Sequence, residues 1–191
     1  MAQELDDDDI ARLDFRAVCD GELAGWYAST QQTHTHTHTN HPERILISTS
    51  SLPGNGSALQ LPRDLRWLYE QGIRMVVSLN EGPSLQLPSA IAAFRDIGIT
   101  NIRLESADYG APSIEDLHRF VSIVQEERSK GGRTVVHCNA GQGRTGTMLC
   151  VYQIANGISL DEAMVNSSGC RSYKPTNEQR AALEAFLESL Q

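Results

Sequence analysis

Positive charge is scarce in this chain: 16 Lys and Arg stand against 24 Asp and Glu, a net charge of −8. That balance argues against nucleic acid and against anionic membrane surfaces as partners. Long apolar runs are missing, since none approaches the ~20 residues that span a bilayer. No basic segment followed by apolar residues opens the chain, where Asp6–Asp9 form an acidic cluster instead; no secretory leader is expected. The four cysteines, Cys19, Cys138, Cys150 and Cys170, include no Cys-x-x-Cys pair. They read as thiols in a reducing, cytoplasmic compartment, and neither a metal site nor another cofactor is expected. What remains is ordinary: 191 residues, 40% of them hydrophobic, enough for one domain with a sizeable core.

Residues 1–43 read as an extension, partly of low complexity, and residues 44–191 as the domain. Within the extension, Ile10–Cys19 is compatible with a short amphipathic helix. Thr33–Thr39 alternates threonine and histidine, so that His34, His36, His38 and, beyond Asn40, His41 form a tract. Such tracts bind metals weakly, but composition favours a low-complexity linker. Arg44–Ser48, Met75–Leu79 and Ile99–Leu104 are predicted strands. Ser51–Ser57, with Pro53, Gly54 and Gly56, is a predicted turn. Helices are predicted over Pro62–Glu70 and from Leu87 to about Ile97. Ser113-x-x-Asp116, Ser159-x-x-Glu162 and Thr176-x-x-Gln179 open three more. The alternation implies an α/β fold. Its central, mostly parallel sheet has about four to five strands, with helices on both faces.

One stretch organises the rest. Thr134–Val136 is a short apolar strand, and Met148, Leu149, Tyr152 and Ala155 share one face of a helix that Gly157 stops. Between them lies a glycine-rich turn. Strand, tight turn and helix N-terminus make an anion site, because backbone N–H groups and the helix dipole both favour negative charge. Cys138 opens this turn, where the same groups would favour a thiolate. Cysteines so placed have pKa values lowered to roughly 3.5–7.5. Arg144 closes it, and its planar fork suits two oxygens of a phosphoryl group.

Two other phosphate-binding patterns fit less well. Gly141-x-Gly143-x-x-Gly146 is literally a dinucleotide fingerprint. Too little chain follows it, however, and the acidic residues ~20 positions on, Asp161 and Glu162, belong to a helix start. A Walker loop requires Gly-Lys-Ser/Thr, where this chain has Gly143-Arg144-Thr145.

His137-Cys138-(five residues)-Arg144-Thr145-Gly146 resembles the signature of the cysteine-dependent protein tyrosine phosphatases. Ser78-Leu79-Asn80-Glu81, Asp108…Ala111-Pro112 and Gly146-Thr147-Met148-Leu149 most resemble the small atypical dual-specificity phosphatases. The resemblance covers the chain from Ile45 onward. It implies a phosphomonoester hydrolase that works through a cysteinyl-phosphate. Cys138 is then the nucleophile. Phosphate binding falls to Asn139, Ala140, Gly141, Gln142, Gly143 and Arg144, and the Thr145 hydroxyl donates to the sulfur. His137 is a rigid neighbour of the nucleophile rather than a base.

A leaving alkoxide or phenoxide needs a proton. Asp108, in a glycine- and proline-containing loop, is the expected donor, with Glu105 the runner-up and Asp116 better explained as a helix cap. Gln179 has two readings, a water-positioning residue as in some relatives or a capping-box residue. Cys150 reads as core. The expected substrate is a phosphorylated protein, bearing phosphotyrosine first and phosphoserine or phosphothreonine second. Two alternatives stay open: a phospho-residue binding module with little turnover, and a phosphatase for a non-protein phosphomonoester. Oligomeric state is not legible.

Overall fold

The structure is a computed structural model and describes residues 16–19, 45–50, 53, 59–82, 84–171 and 173–191. Five strands form one sheet: β1 (Arg16–Cys19), β2 (Ile45–Ser50), β3 (Ile73–Ser78), β4 (Thr100–Arg103) and β5 (Arg133–His137), in the order β1-β2-β5-β3-β4. All neighbours are parallel except β1, which runs antiparallel to β2 at one edge. Among the described residues six α-helices accompany them: α1 (Leu61–Glu70), α2 (Pro88–Ile97), α3 (Ile114–Ser129), α4 (Gly143–Ala155), α5 (Leu160–Arg171) and α6 (Asn177–Ser189).

Two buried clusters flank the sheet, as parallel strands demand. On one face Met75, Val77 and Val136 pack with Leu117 and Phe120 of α3, Leu149 of α4, and Leu183 and Phe186 of α6. On the other, Val76 and Val135 pack with Leu65 and Leu68 of α1 and with Ala90 and Phe94 of α2. The expected α/β architecture with helices on both faces is therefore present. The strand Arg16–Cys19 corrects one expectation, since a helix was anticipated over Ile10–Cys19. A four-residue stretch has too little periodicity to decide its own conformation, and here pairing with Thr49, Ser48, Ile47 and Ile45 decides it. Asp6–Asp9 and the Thr-His tract lie outside the described residues, as does the Ser51–Ser57 turn apart from Pro53.

Helix starts follow side-chain chemistry. Ser113 Oγ accepts from the Asp116 amide at 3.1 Å, and Ser159 Oγ accepts from the Glu162 amide at 3.3 Å. At α6 the capping box is complete: Thr176 Oγ1 accepts from the Gln179 amide, and Gln179 Oε1 accepts from the Thr176 amide.

Strand register sets the site. Ser50, His137, Ser78 and Arg103 lie level across β2, β5, β3 and β4. The residues that follow them emerge together at the carboxyl ends of the strands, where such sheets bind ligands. Helix α4 leaves this edge through the core. Its Gly146 meets the ring of Tyr173, and a Cβ there would sit 2.3 Å from Cδ2 and 2.5 Å from Cγ. The ring is buried and tied through its hydroxyl to Thr147 Oγ1 at 3.0 Å, so it cannot swing aside freely. Alanine in a helix interior gains about 1 kcal/mol over glycine, whereas overpacking a core costs up to about 3 kcal/mol. Gly146→Ala is therefore expected to lower unfolding stability by a net ~2 kcal/mol in urea titration; equal or greater stability would refute this packing.

Candidate active site

The turn between β5 and α4 is built as its composition requires. Gly141 has φ +69°, a left-handed conformation that an L side chain resists. At Gln142 the chain enters α4 without any side-chain cap, which leaves the first-turn N–H groups of a 13-residue helix for another acceptor. Cys138 stands just past the end of β5 and is 4% exposed. Thr145 Oγ1 donates to its Sγ at 3.2 Å. The sulfur therefore sits at the floor of the turn, in reach of a hydroxyl from the helix start.

Arg144 is 3% exposed, and two segments, the end of β3 and the loop that carries Asp108, hold its guanidinium. Nη1 donates to the Ser106 carbonyl at 2.9 Å and to the Leu79 carbonyl at 3.3 Å. Nη2 meets Asp108 Oδ1 at 2.8 Å. A buried cation is tolerable only with such partners. The carbonyls fix the plane of the fork, while the Asp108 side chain, 59% exposed, approaches from solvent. Glu105 takes a different partner, pairing with Arg103 at 2.5 Å. Asp116 is occupied at the start of α3, where Ser113 Oγ donates to its Oδ2 at 2.9 Å.

His137 is wholly buried. Its Nε2 lies 2.8 Å from Ser78 Oγ and its Nδ1 3.1 Å from the Cys138 carbonyl; Ser78 Oγ also donates to Asn101 Oδ1 at 2.8 Å. Burial pushes the imidazole pKa down to about 4; the Cys138 carbonyl opposes the shift and the Arg144 charge adds to it. The ring is uncharged at neutral pH. It is a strut linking β5 to β3 and β4 and steadying the peptide of Cys138. Cys150, inside α4, contacts Ser167 Oγ at 3.2 Å. Burial raises its thiol to about 11, against the lowering effect of Ser167, so it is an inert core thiol.

Gln179 is buried at the start of α6. Besides completing the capping box, its Nε2 donates to the Gly110 carbonyl at 2.9 Å. Sequence reasoning did not single out Ser78 and Asn101 as struts, nor Thr176 and Glu178 as neighbours of the Asp108 loop. The carbonyls of Leu79 and Ser106 carry no sequence signal, since any residue supplies one. Among the described residues no group of three or more His, Cys, Asp or Glu is placed to hold a metal, and no helix is long and apolar enough to cross a membrane.

Residues 51–158, more than half of the chain, match the family described as polymorphic toxin system, DSP-PTPase phosphatase. The chain belongs to this family. Among curated relatives of this DSP-PTPase phosphatase is the phosphatidylglycerophosphate phosphatase PTPMT1 of Arabidopsis thaliana. It is 32% identical over 119 residues, which are 62% of this chain and 34% of the relative. Another is the rat phosphatidylglycerophosphatase and protein-tyrosine phosphatase 1, 30% identical over 111 residues, 56% of this chain and 58% of that one. The chain thus spans between a third and three fifths of the length of these two relatives. Among solved structures, Tk-PTP in its active form superposes with a TM-score of 0.63 at 26% identity, covering 74% of this chain and 91% of that one. The kinase associated phosphatase superposes at 0.68 and 19% identity, covering 77% and 88%, a likeness of fold alone. The chain thus belongs to the cysteine-based protein tyrosine phosphatase superfamily, among its small, atypical dual-specificity members.

The buried imidazole makes stability pH-dependent with a definite sign. In the unfolded chain His137 titrates near ~6.5; folded, it resists protonation until about 4. Its contribution is fully present above the unfolded value and is lost as pH falls through the folded one. The loss is on the order of 3 kcal/mol across that window. Urea midpoints taken from neutral pH down through that window should fall less steeply for His137→Asn than for the parent; equal slopes would contradict the buried neutral ring.

Proposed function

We propose that this phosphatase hydrolyses phosphomonoesters on proteins through a cysteinyl-phosphate, with phosphotyrosine the principal substrate. Phosphoserine and phosphothreonine follow where the cleft admits them. The observation that carries the reading is the convergence of Cys138, Thr145, Arg144 and Asp108 at one sheet edge, within hydrogen-bond contact in pairs. In the first step the Cys138 thiolate attacks phosphorus. The bond to the leaving oxygen breaks, and Asp108 supplies that oxygen's proton. Arg144, with the N–H groups of Asn139, Ala140, Gly141, Gln142 and Gly143, holds the equatorial oxygens, since phosphoryl transfer needs chiefly positioning and electrostatic support. In the second step water attacks phosphorus and Asp108 takes its proton. The sulfur leaves as a thiolate, which the Thr145 hydroxyl stabilises.

Asp108 shares Arg144 Nη2 with any bound phosphoryl group, so carboxylate and dianion compete for one donor. This supports Asp108 as a residue that must turn toward the leaving oxygen when substrate enters. On the substrate side, Asn139, Ala140 and Gln142 carry no charge, which favours a singly phosphorylated group over polyphosphorylated headgroups. The second reading, a lipid phosphomonoester, draws support from the Arabidopsis and rat relatives, which are phosphatidylglycerophosphate phosphatases.

An aryl phosphate assay tests the chemistry. Turnover should persist in EDTA, vanish in Cys138→Ser, and fall by about 10²–10⁴ in Asp108→Asn. Vanadate affinity should be retained by Cys138→Ser and should rise in Asp108→Asn, because the competing carboxylate is gone. Full activity of Cys138→Ser refutes the covalent route; no turnover by the parent favours a binding module. Comparing a phosphotyrosyl peptide with vesicles of phosphatidylglycerophosphate then separates the two substrate readings. A higher kcat/KM on the vesicles overturns the protein substrate.

A further inference from the structure

The loop that carries Asp108 is held by another element. Tyr109 has φ +61°, the one non-glycine residue with positive φ among the described residues. For an L residue that conformation is unfavourable and persists only where surrounding contacts over-determine it. Those contacts come from the first turn of α6. Thr176 Oγ1 donates to the Tyr109 carbonyl at 3.1 Å. Gln179 Nε2 donates to the Gly110 carbonyl at 2.9 Å and reaches the Tyr109 carbonyl at 3.5 Å. Glu178 Oε1 accepts from the Ala111 amide at 3.3 Å. Three side chains of one helical turn thus bind two successive peptide units, Tyr109–Gly110 and Gly110–Ala111, just beyond the acid.

The same Gln179 amide also adjoins the phosphate loop, since a Cβ built on Gly143 would lie 3.2 Å from its Nε2. Both ends of the amide are engaged: Oε1 takes the Thr176 N–H, and Nε2 serves the acid loop.

We propose that Thr176, Glu178 and Gln179 form a clasp that holds the Asp108 loop over the phosphate loop, and that Thr176 and Gln179 are positioning residues for the general acid. The inference rests on the proposed role of Asp108 and adds to it. The α6 capping box then does two jobs. It starts the helix, and it turns the leftover hydrogens of the same two side chains onto the strained peptides beside the acid.

The two jobs separate by substitution. Thr176→Asp keeps a good N-cap acceptor but has no hydroxyl proton for the Tyr109 carbonyl. Gln179→Met keeps the length and removes both polar ends. Thr176→Ser retains the hydroxyl and serves as the conservative rescue. The readout is the ratio of kcat/KM on phenyl phosphate, whose leaving group needs a proton, to that on dinitrophenyl phosphate, whose leaving group does not. A misplaced acid lowers this ratio, whereas general damage to the fold lowers both rates together. We expect the ratio to fall about tenfold in Thr176→Asp and Gln179→Met, part of the loss that removing a general acid causes, and to recover in Thr176→Ser. An unchanged ratio in Thr176→Asp, with vanadate binding intact, overturns the clasp. If Asp108→Asn also leaves the ratio unchanged, it is the acid assignment that fails, and the two failures are distinguishable.

Discussion

The geometry of this protein depends on one buried cation. The Arg144 guanidinium is anchored to the main chain at the end of β3 and at the base of the acid loop, and it faces the Asp108 carboxylate. It therefore ties the phosphate loop, the central sheet and the loop of the candidate acid into one unit. A guanidinium removed from water requires partners of this kind. Main-chain carbonyls suit it because strand register fixes them. The cost of burial is what makes the fork rigid, and a rigid fork is what a planar pair of phosphoryl oxygens requires.

Sheet and site are coupled through the same edge. His137, Ser78 and Asn101 cross three neighbouring strands with side-chain contacts one level below the nucleophile. The desolvation that keeps His137 uncharged suits a structural strut rather than a proton donor. Cys150 and Cys138 sit in different surroundings. Cys150 sits in mid-helix among core groups that disfavour its anion. Cys138 lies at a helix start, beside a hydroxyl donor and a loop whose helix end lacks any side-chain cap.

Much of this was legible in the sequence because the relevant rules are local. The strand–turn–helix around Cys138, the capping pairs Ser113/Asp116 and Thr176/Gln179, and the apolar faces of α1 and α3 all depend on neighbours within a few residues. Non-local features were not legible. The pairing of Arg16–Cys19 with β2 depends on residues far along the chain, and its local pattern suggested a helix. Gln179 was recognisable as a capping residue, but its second bond, to Gly110, joins segments 69 positions apart. The strained Tyr109 peptide has no sequence mark, since tyrosine gives no hint of a left-handed backbone. The main-chain partners of Arg144 leave none either.

The measurement closest to the central claim is rapid quenching of the enzyme during turnover of a radiolabelled aryl phosphate, followed by peptide mapping. The account predicts label on the peptide that contains Cys138, rising before product release and absent from Cys138→Ser. Turnover with no labelled peptide at any time, or label on a different residue, would contradict it.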